Sequence, residues 1–388
     1  MSNNTANLNQ QKYTKETQAL LEEKLVSFVL ANTRLISRMP DGNTINFPRP
    51  NYNAVDEYTK YNDVTDDSID YDNEQLVINQ TPIISFTLDV IDEQDSAWEI
   101  AMNETKRNAY LLQEKIDWDF FNEYSNADNQ NDSVVALSTS NVVSTYGKAF
   151  ATLANNWVDV WNLCLAVDPF QRDIIWQGSL GNTFNVADSV YKNWYVGDFQ
   201  WMQAYISTNL TAEWVLNLAT NPTDWDKVTI NWVVFTFKDT LWSEPGNVKI
   251  EAGVADTREN LVDAINNTGV ATDRYVPVAQ KERNNKLRGL SVEEASATVV
   301  LTSKRGYKPV SSDLTENDDK WWAITIHNIA MEKGSIHMVL RNAPMLKVQD
   351  VPKQLAERYM VWTRYWIKTF SEWAERMYDI RIEAQPAE

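Results

Sequence analysis

Gly42-Asn43-Thr44-Ile45-Asn46-Phe47-Pro48-Arg49-Pro50 opens the stretch that decides the fold, which continues through Tyr52–Glu74, Leu76–Pro82 and Ile83–Val90 into a charged helix ending near Tyr124. Pro48 and Pro50 deny a ladder their N–H groups and bias the preceding residues to extended geometry, so Thr44–Pro50 reads as a short extended segment. Tyr52–Glu74 carries eight carboxylates (Asp56, Glu57, Asp63, Asp66, Asp67, Asp70, Asp72, Glu74) and too few apolar side chains to bury a core, which predicts a polar arm. Leu76, Ile78 and Gln80 then face one way, Val77, Asn79 and Thr81 the other, and Ile83–Val90 is apolar and β-branched. Together these segments predict a long two-stranded ribbon.

Asp92-Glu93-Gln94-Asp95-Ser96 places acids and capping groups where a helix N-terminus wants them. Trp98, Ala101, Thr105, Ala109, Leu112, Ile116 and Phe120 recur at spacings of three and four, while Glu99, Glu104, Lys106, Arg107, Glu114 and Lys115 fill the other faces. One thin stripe on a long helix predicts a spine rather than a core helix.

Outward from this stretch, Tyr13–Arg38 reads as a helical arm on Leu20, Leu21, Leu25, Phe28 and Val29, and the polar Ser125–Ser133 as a connection. Thr139–Cys164 predicts one or two helices, with Phe150, Leu153, Trp157 and Trp161 on one face and Ser140 or Ser144 as cap. In Asp224–Thr268, Val228–Phe237 predicts a strand pair or one bent strand, Pro245-Gly246 a turn, Val248–Ile250 a strand, and Thr257–Asn266 a helix ending near Asn267 and Gly269, together a small β-rich insertion. Strands are expected over Ala297–Thr302 and Trp321–Ile329. After Val351-Pro352, the recurrence of Leu355, Tyr359, Trp362, Trp366, Phe370, Trp373 and Met377 predicts an amphipathic helix over Lys353–Asp379.

A helical arm, an extended β loop and a long spine helix, in that order, resemble the major capsid proteins of tailed bacteriophages, whose fold is shared with herpesvirus capsid floors and encapsulins. Val167-Asp168-Pro169-Phe170-Gln171-Arg172-Asp173-Ile174-Ile175-Trp176 is similar to a P-x-x-R-x-hydrophobic strand of that family, and Gly197-Asp198-Phe199 through Tyr205-Ile206-Ser207-Thr208-Asn209-Leu210 to its hydrophobic-S-x-N-L segment. The resemblance implies an α+β capsid fold with peripheral and axial domains, divided at residues 1–40, 41–91, 92–165, 166–223, 224–270, 271–350 and 351–388. It also implies self-assembly into hexamers and pentamers of an icosahedral shell around double-stranded DNA, without a cofactor, in the virion and, during assembly, the bacterial cytoplasm. Portal, scaffolding and decoration proteins are the other expected partners. Candidate inter-subunit residues are Phe47, Tyr52, Asp66 and Asp70 of the loop, Arg283 and Arg288 of the basic run Lys281–Arg288, and Trp362 and Trp366 near the end. An encapsulin-like compartment and a Trp-rich carbohydrate-binding or tail-associated protein are the alternatives.

Composition accommodates this reading: 388 residues, 43% hydrophobic and 23% charged, suit a globular protein of two or three packed units. With 35 basic and 54 acidic residues the net charge is -19, which argues against a protein that grips DNA through its phosphates; weak attraction suits a shell that encloses it. The lone Cys164 lies in an apolar run, allows no internal disulfide and fits a reducing compartment. No apolar run approaches the roughly 20 residues of a membrane span, and Met1–Gln11 has no signal-peptide core.

Signs of chemistry are few. His327 and His337 have no Cys, Asp or Glu at zinc spacing and read as structural. Neither phosphate-loop nor nucleophile-elbow motifs occur, and 11 glycines leave little for a phosphate cradle. Asp66–Glu74 imitates alternate calcium ligands, but Tyr71 stands where an EF-hand needs glycine and Val77 where it needs glutamate, so it reads as a solvated loop. Exposed tryptophans stack on sugars, yet Trp157/Trp161 and Trp362/Trp366/Trp373 at helical spacing read as core or interface.

Overall fold

The computed structural model describes residues 26–34, 44–50, 60, 71–77, 80–89, 100–156, 158–172, 174–175, 195–199, 202–269, 271–303, 310–314, 322–352 and 355–383. The expected caps at 92–96, most of the 1–40 arm, and Tyr52, Asp66 and Asp70 lie outside them. The chain mixes helix and sheet, an α+β fold, in two compact units: Met1–Gln113 with Gly334–Trp373, and Glu114–Lys333 with Ala374–Glu388.

In the first unit, β1 (Thr44–Pro50) and β2 (Tyr71–Val77) pair antiparallel from Thr44↔Val77 to Pro50↔Tyr71, so strand begins inside the stretch expected to be a polar arm. β3 (Ile83–Asp89) leaves this ribbon and joins β18 (Ala356–Thr369), which pairs on its other side with β17 (Ile336–Asp350). The helix expected over Lys353–Asp379 is therefore a long strand, a short helical turn at Ser371–Ala374 and a further strand, β19 (Met377–Glu383). Its aromatics satisfy two periods at once. Tyr359, Val361, Thr363 and Tyr365 alternate inward at period two, and strand partners on both sides make that period the one that buries apolar area.

Helix α2 (Ile100–Phe121) realises the expected stripe, since Ala101, Thr105, Ala109, Leu112, Ile116 and Phe120 are all buried. Ala101 and Leu112 pack with Tyr359, Val361, Leu346, Ile84, Phe86 and Leu88 from the β17-β18-β3 sheet. Before it, α1 (Val26–Leu30) buries Val26 and Leu30 in its own subunit, and the chain at Asn32 bonds to both Ile336 and Met338 of β17.

The second unit is built on a sheet ordered β13-β14-β9-β16-β6-β8-β7, with β19 along the other side of β16. Its strands are β6 (Leu163–Val167), β7 (Tyr195–Phe199), β8 (Met202–Ile206), β9 (Ala212–Asn217), β13 (Leu290–Ala295), β14 (Thr298–Ser303) and β16 (Trp322–Glu332). Two-residue strands β4 (Asn129–Gln130) and β5 (Val135–Ala136) pair with β19. Helix α3 (Val142–Asn155) lays Val142, Tyr146, Ala149 and Leu153 on Leu163, Leu165, Met202, Ile380 and Ile382. No serine side chain caps it; Asn141 holds the N-cap place. It ends well before Cys164, whose buried thiol has its pKa pushed up to about 12 by burial. Pro169–Gln171 is a 3-10 turn, not a strand; the strand there is β6, which ends before Pro169 fixes the backbone.

The expected insertion is not self-contained. Strands β10 (Lys227–Ile230), β11 (Val233–Lys238) and β12 (Asn247–Lys249) form a sheet whose fourth member, β15 (Val310–Asp313), comes from a distant part of the chain. Phe235, Phe237, Val228 and Val248 share one apolar cluster with Trp214, Leu216, Val299 and Leu301 of the main sheet. Helix α4 (Val254–Asn266) closes this cluster with Leu261, Ala264 and Ile265 and ends at Asn267 in the left-handed conformation.

Candidate assembly surfaces

The ribbon presents the first surface. Tyr71 and Val77 are 57% and 44% exposed, and Asn73 and Gln75, which share their face at period two, are exposed as well. No third strand joins β1 or β2 among the described residues. Prolines at 48 and 50 are tolerated in such an edge, and Phe47 stands opposite Glu74. Glu74 ties the ribbon to its unit, with Lys368 Nζ 2.9 Å from one carboxylate oxygen and Ser371 Oγ donating to the other at 3.4 Å. Two strands alone are marginal in water, and the anchor at Glu74 holds the ribbon at its central pair, Phe47↔Glu74.

The second surface crosses the β17-β18-β3 sheet. Met345, Trp362 and Ile83 stand in register on three adjacent strands. Met345 is 45% and Ile83 58% exposed, and Trp362 between them is half-buried. The opposite face of the sheet is the one that meets α2, so this apolar row faces away from its unit's own core. Trp366 plays a different part: it is buried, with its ring 6.1 Å from Phe370, and Phe370 and Trp373 pack edge-on against His337 at 4.8 and 5.5 Å. Burial holds the His337 pKa below its ordinary value.

The basic loop is engaged within its own unit. Arg283 donates to the carbonyls of Ala264 and Ile265 at 3.2 and 2.9 Å, satisfying the C-terminal end of α4, where a cation also meets the helix dipole. Arg288 pairs with Glu114 at 2.5 Å. Both arginines thus find acceptors on their own chain.

Trp161, which helical spacing assigned to core or interface, lies in a 3-10 turn and is exposed in the subunit, as is Trp232. Trp161, 74% exposed, follows Asp159, whose carboxylate accepts from its N–H in a 3-10 turn. Trp232, 75% exposed, tips the β10–β11 hairpin with Asn231; both residues have positive φ, and Ile230 pairs with Val233. This is the I′ pattern, in which glycine normally follows asparagine. Asn231 Nδ2 donates to the Lys286 carbonyl at 2.6 Å and fixes the tip. An asparagine between two β-branched runs was the available sequence signal for that turn.

Inside the second unit lies a charged node. His327 Nδ1 is 2.9 Å from Asp379 Oδ2, and its Nε2 is 3.6 Å from Glu213 Oε2, an ion pair too long for a hydrogen bond. Tyr124 stacks on the imidazole at 3.9 Å and donates to Glu213 at 2.8 Å. Burial alone would lower the His327 pKa, but Asp379 and Glu213 outweigh it and hold it at about 9, so the ring is a cation at neutral pH. Glu213 is held below the usual carboxylate range chiefly by His327, and burial with Glu213 beside it raises Tyr124. Both carboxylates and the ring are locked in mutual contacts, which makes the node a structural clamp between β9, β16 and β19. No cluster of three or more His, Cys, Asp or Glu suited to a metal occurs among the described residues.

No protein-family model matches the sequence, and no curated protein matches it. Among solved structures, the chain is similar to a chain of the capsid of cyanophage P-SCSP1u, with 6% identity over 93% of this chain and 88% of that one and a TM-score of 0.50. Similar too are a chain from Mycobacterium phage Che8, with 12% identity over 92% and 91% at a TM-score of 0.49, and one from the capsid of Ralstonia phage GP4, with 8% identity over 94% and 92% at 0.45. At such low identity the likeness concerns the fold alone, and the cyanophage match carries it: this chain has the fold of phage major capsid proteins.

Proposed function

We propose that this chain is the major capsid subunit of a tailed phage, whose copies form hexamers and pentamers of an icosahedral shell around double-stranded DNA. The observation that carries the reading is the ribbon: in a chain of capsid fold, a two-stranded sheet with no third strand among the described residues exposes a face that a neighbouring copy can cover. The apolar row Ile83–Trp362–Met345 supplies a second patch for the same purpose. Function is then association rather than catalysis, and the subunit resides in the virion after assembly in the host cytoplasm. Its net charge of -19 keeps contact with enclosed DNA weak. Portal, scaffolding and decoration proteins complete the expected partners. Electron microscopy of the purified, recombinantly expressed chain tests the proposal. Closed shells or capsomer sheets are expected, whereas monodisperse monomers at high concentration would overturn it, and co-purified cargo inside shells would point to a compartment instead.

A further inference from the structure

Trp225 and Trp242 form an open pair beside the β10–β11–β12 sheet. Their rings lie 6.0 Å apart at 73°, and the residues are 56% and 54% exposed. Local preference works against this display. Trp225 is the third residue of a β-turn, Thr223–Asp226, closed by Asp226 N–H donating to the Thr223 carbonyl at 3.1 Å, and its φ is 76°. That is the type II pattern, which favours glycine; a left-handed tryptophan strains the backbone and still leaves its ring in water. The turn is rigidly held. Thr223 N–H donates to Asp226 Oδ2 at 2.8 Å, and Trp225 N–H to the Phe237 carbonyl at 2.9 Å.

Beneath the pair lies Lys238, its side chain 2% exposed and its ammonium without a hydrogen bond. It sits over the Trp225 ring, 5.6 Å from the Trp242 ring centre and 3.9 Å from Asp224 Oδ1. A buried ammonium with unmet donors is costly, and here it is placed where it braces Trp225 by a cation–π contact.

We propose that the Trp225–Trp242 cleft is a binding site for neutral saccharide. The apolar C–H face of a pyranose stacks on an indole, and its hydroxyls need polar partners at the rim. Asp224, whose Oδ1 accepts from Asp239 N–H at 3.2 Å, and Asp239 and Glu244, close in sequence to Lys238 and Trp242, are exposed carboxylates of a kind that accepts from hydroxyls. The hot-spot tryptophan of a protein interface is instead ringed by contacts that exclude water. Charge narrows the ligand further: the three carboxylates repel anionic glycans, and Lys238 already occupies one face of Trp225 against a cationic partner. The site stands whether or not the chain forms shells.

Saturation-transfer difference NMR on the full-length protein, with maltohexaose and chitohexaose as separate probes, tests this. Ring-proton signals are expected from at least one sugar. Trp242→Ala and Trp225→Gly should each weaken binding about tenfold, while their urea midpoints show that both remain folded; glycine suits the turn at 225. Absence of transfer from both sugars at millimolar concentration, or transfer unchanged in the two variants, would overturn the proposal. So would binding of hexalysine in place of the sugars, which would assign the cleft to a basic protein segment.

Discussion

Replacing His327 with glutamine should destabilise the protein most at neutral pH and hardly at all in alkali. The imidazolium is held to about 9 between Asp379 at 2.9 Å and Glu213 at 3.6 Å, against an ordinary 6.5. Because the folded pKa lies above the unfolded one, the contribution is fully present below about pH 6.5 and is lost as pH rises through about 9. The difference amounts to about 3 kcal/mol, and a variant that leaves the buried Asp379 and the half-buried Glu213 without their cation loses a similar amount. On the acid side, Glu213 has a lowered pKa, so its share is present above the ordinary carboxylate range and is lost as pH falls through its folded value. Urea unfolding of wild type and His327→Gln, from about pH 6 to 10, isolates the node from all other titrating groups. The gap should be about 3 kcal/mol near neutrality and close to zero at about pH 10. A gap that stays constant across this range would show that His327 acts as a neutral hydrogen-bonding group, and the electrostatic account of the clamp would fail.

Arg288→Glu should cost about 1–2 kcal/mol of subunit stability, discounted for solvent at Arg288, because it sets a second carboxylate against Glu114; recovery in the double variant with Glu114→Lys would confirm the pairing, and unchanged unfolding of the single variant would refute it. Trp232→Gly should raise stability by about 1 kcal/mol by relieving the left-handed backbone of the I′ turn, measured by urea midpoint; a loss would mean that the indole packs on its own subunit. Deleting residues 53–70 between β1 and β2 should leave a folded, soluble subunit that no longer forms shells by light scattering and electron microscopy, whereas normal shells would remove the ribbon from the assembly mechanism.

Much of the architecture was legible along the chain. The stripe from Ala101 to Phe120 needed only the helical period, and every one of those residues is buried. The end of α4 at Asn267 was likewise written locally, in a residue type that tolerates positive φ. Where two local readings fitted equally well, distant partners decided. Tyr359, Trp362 and Trp366 fit a helix of period 3.6, whereas Tyr359, Val361, Thr363 and Tyr365 fit a strand of period two; β17 and β3 supply the ladder that makes the strand the lower free energy. The same holds for Arg283 and Arg288, whose charges were evident but whose partners, Ala264, Ile265 and Glu114, are brought to them by packing. His327 and Asp379 lie 52 positions apart and meet only because β16 and β19 pair. Periodicity and turn chemistry act over a few residues and can be read from the chain, whereas strand pairing and charge pairing close long loops, and only the assembled core compensates the entropy of closing them.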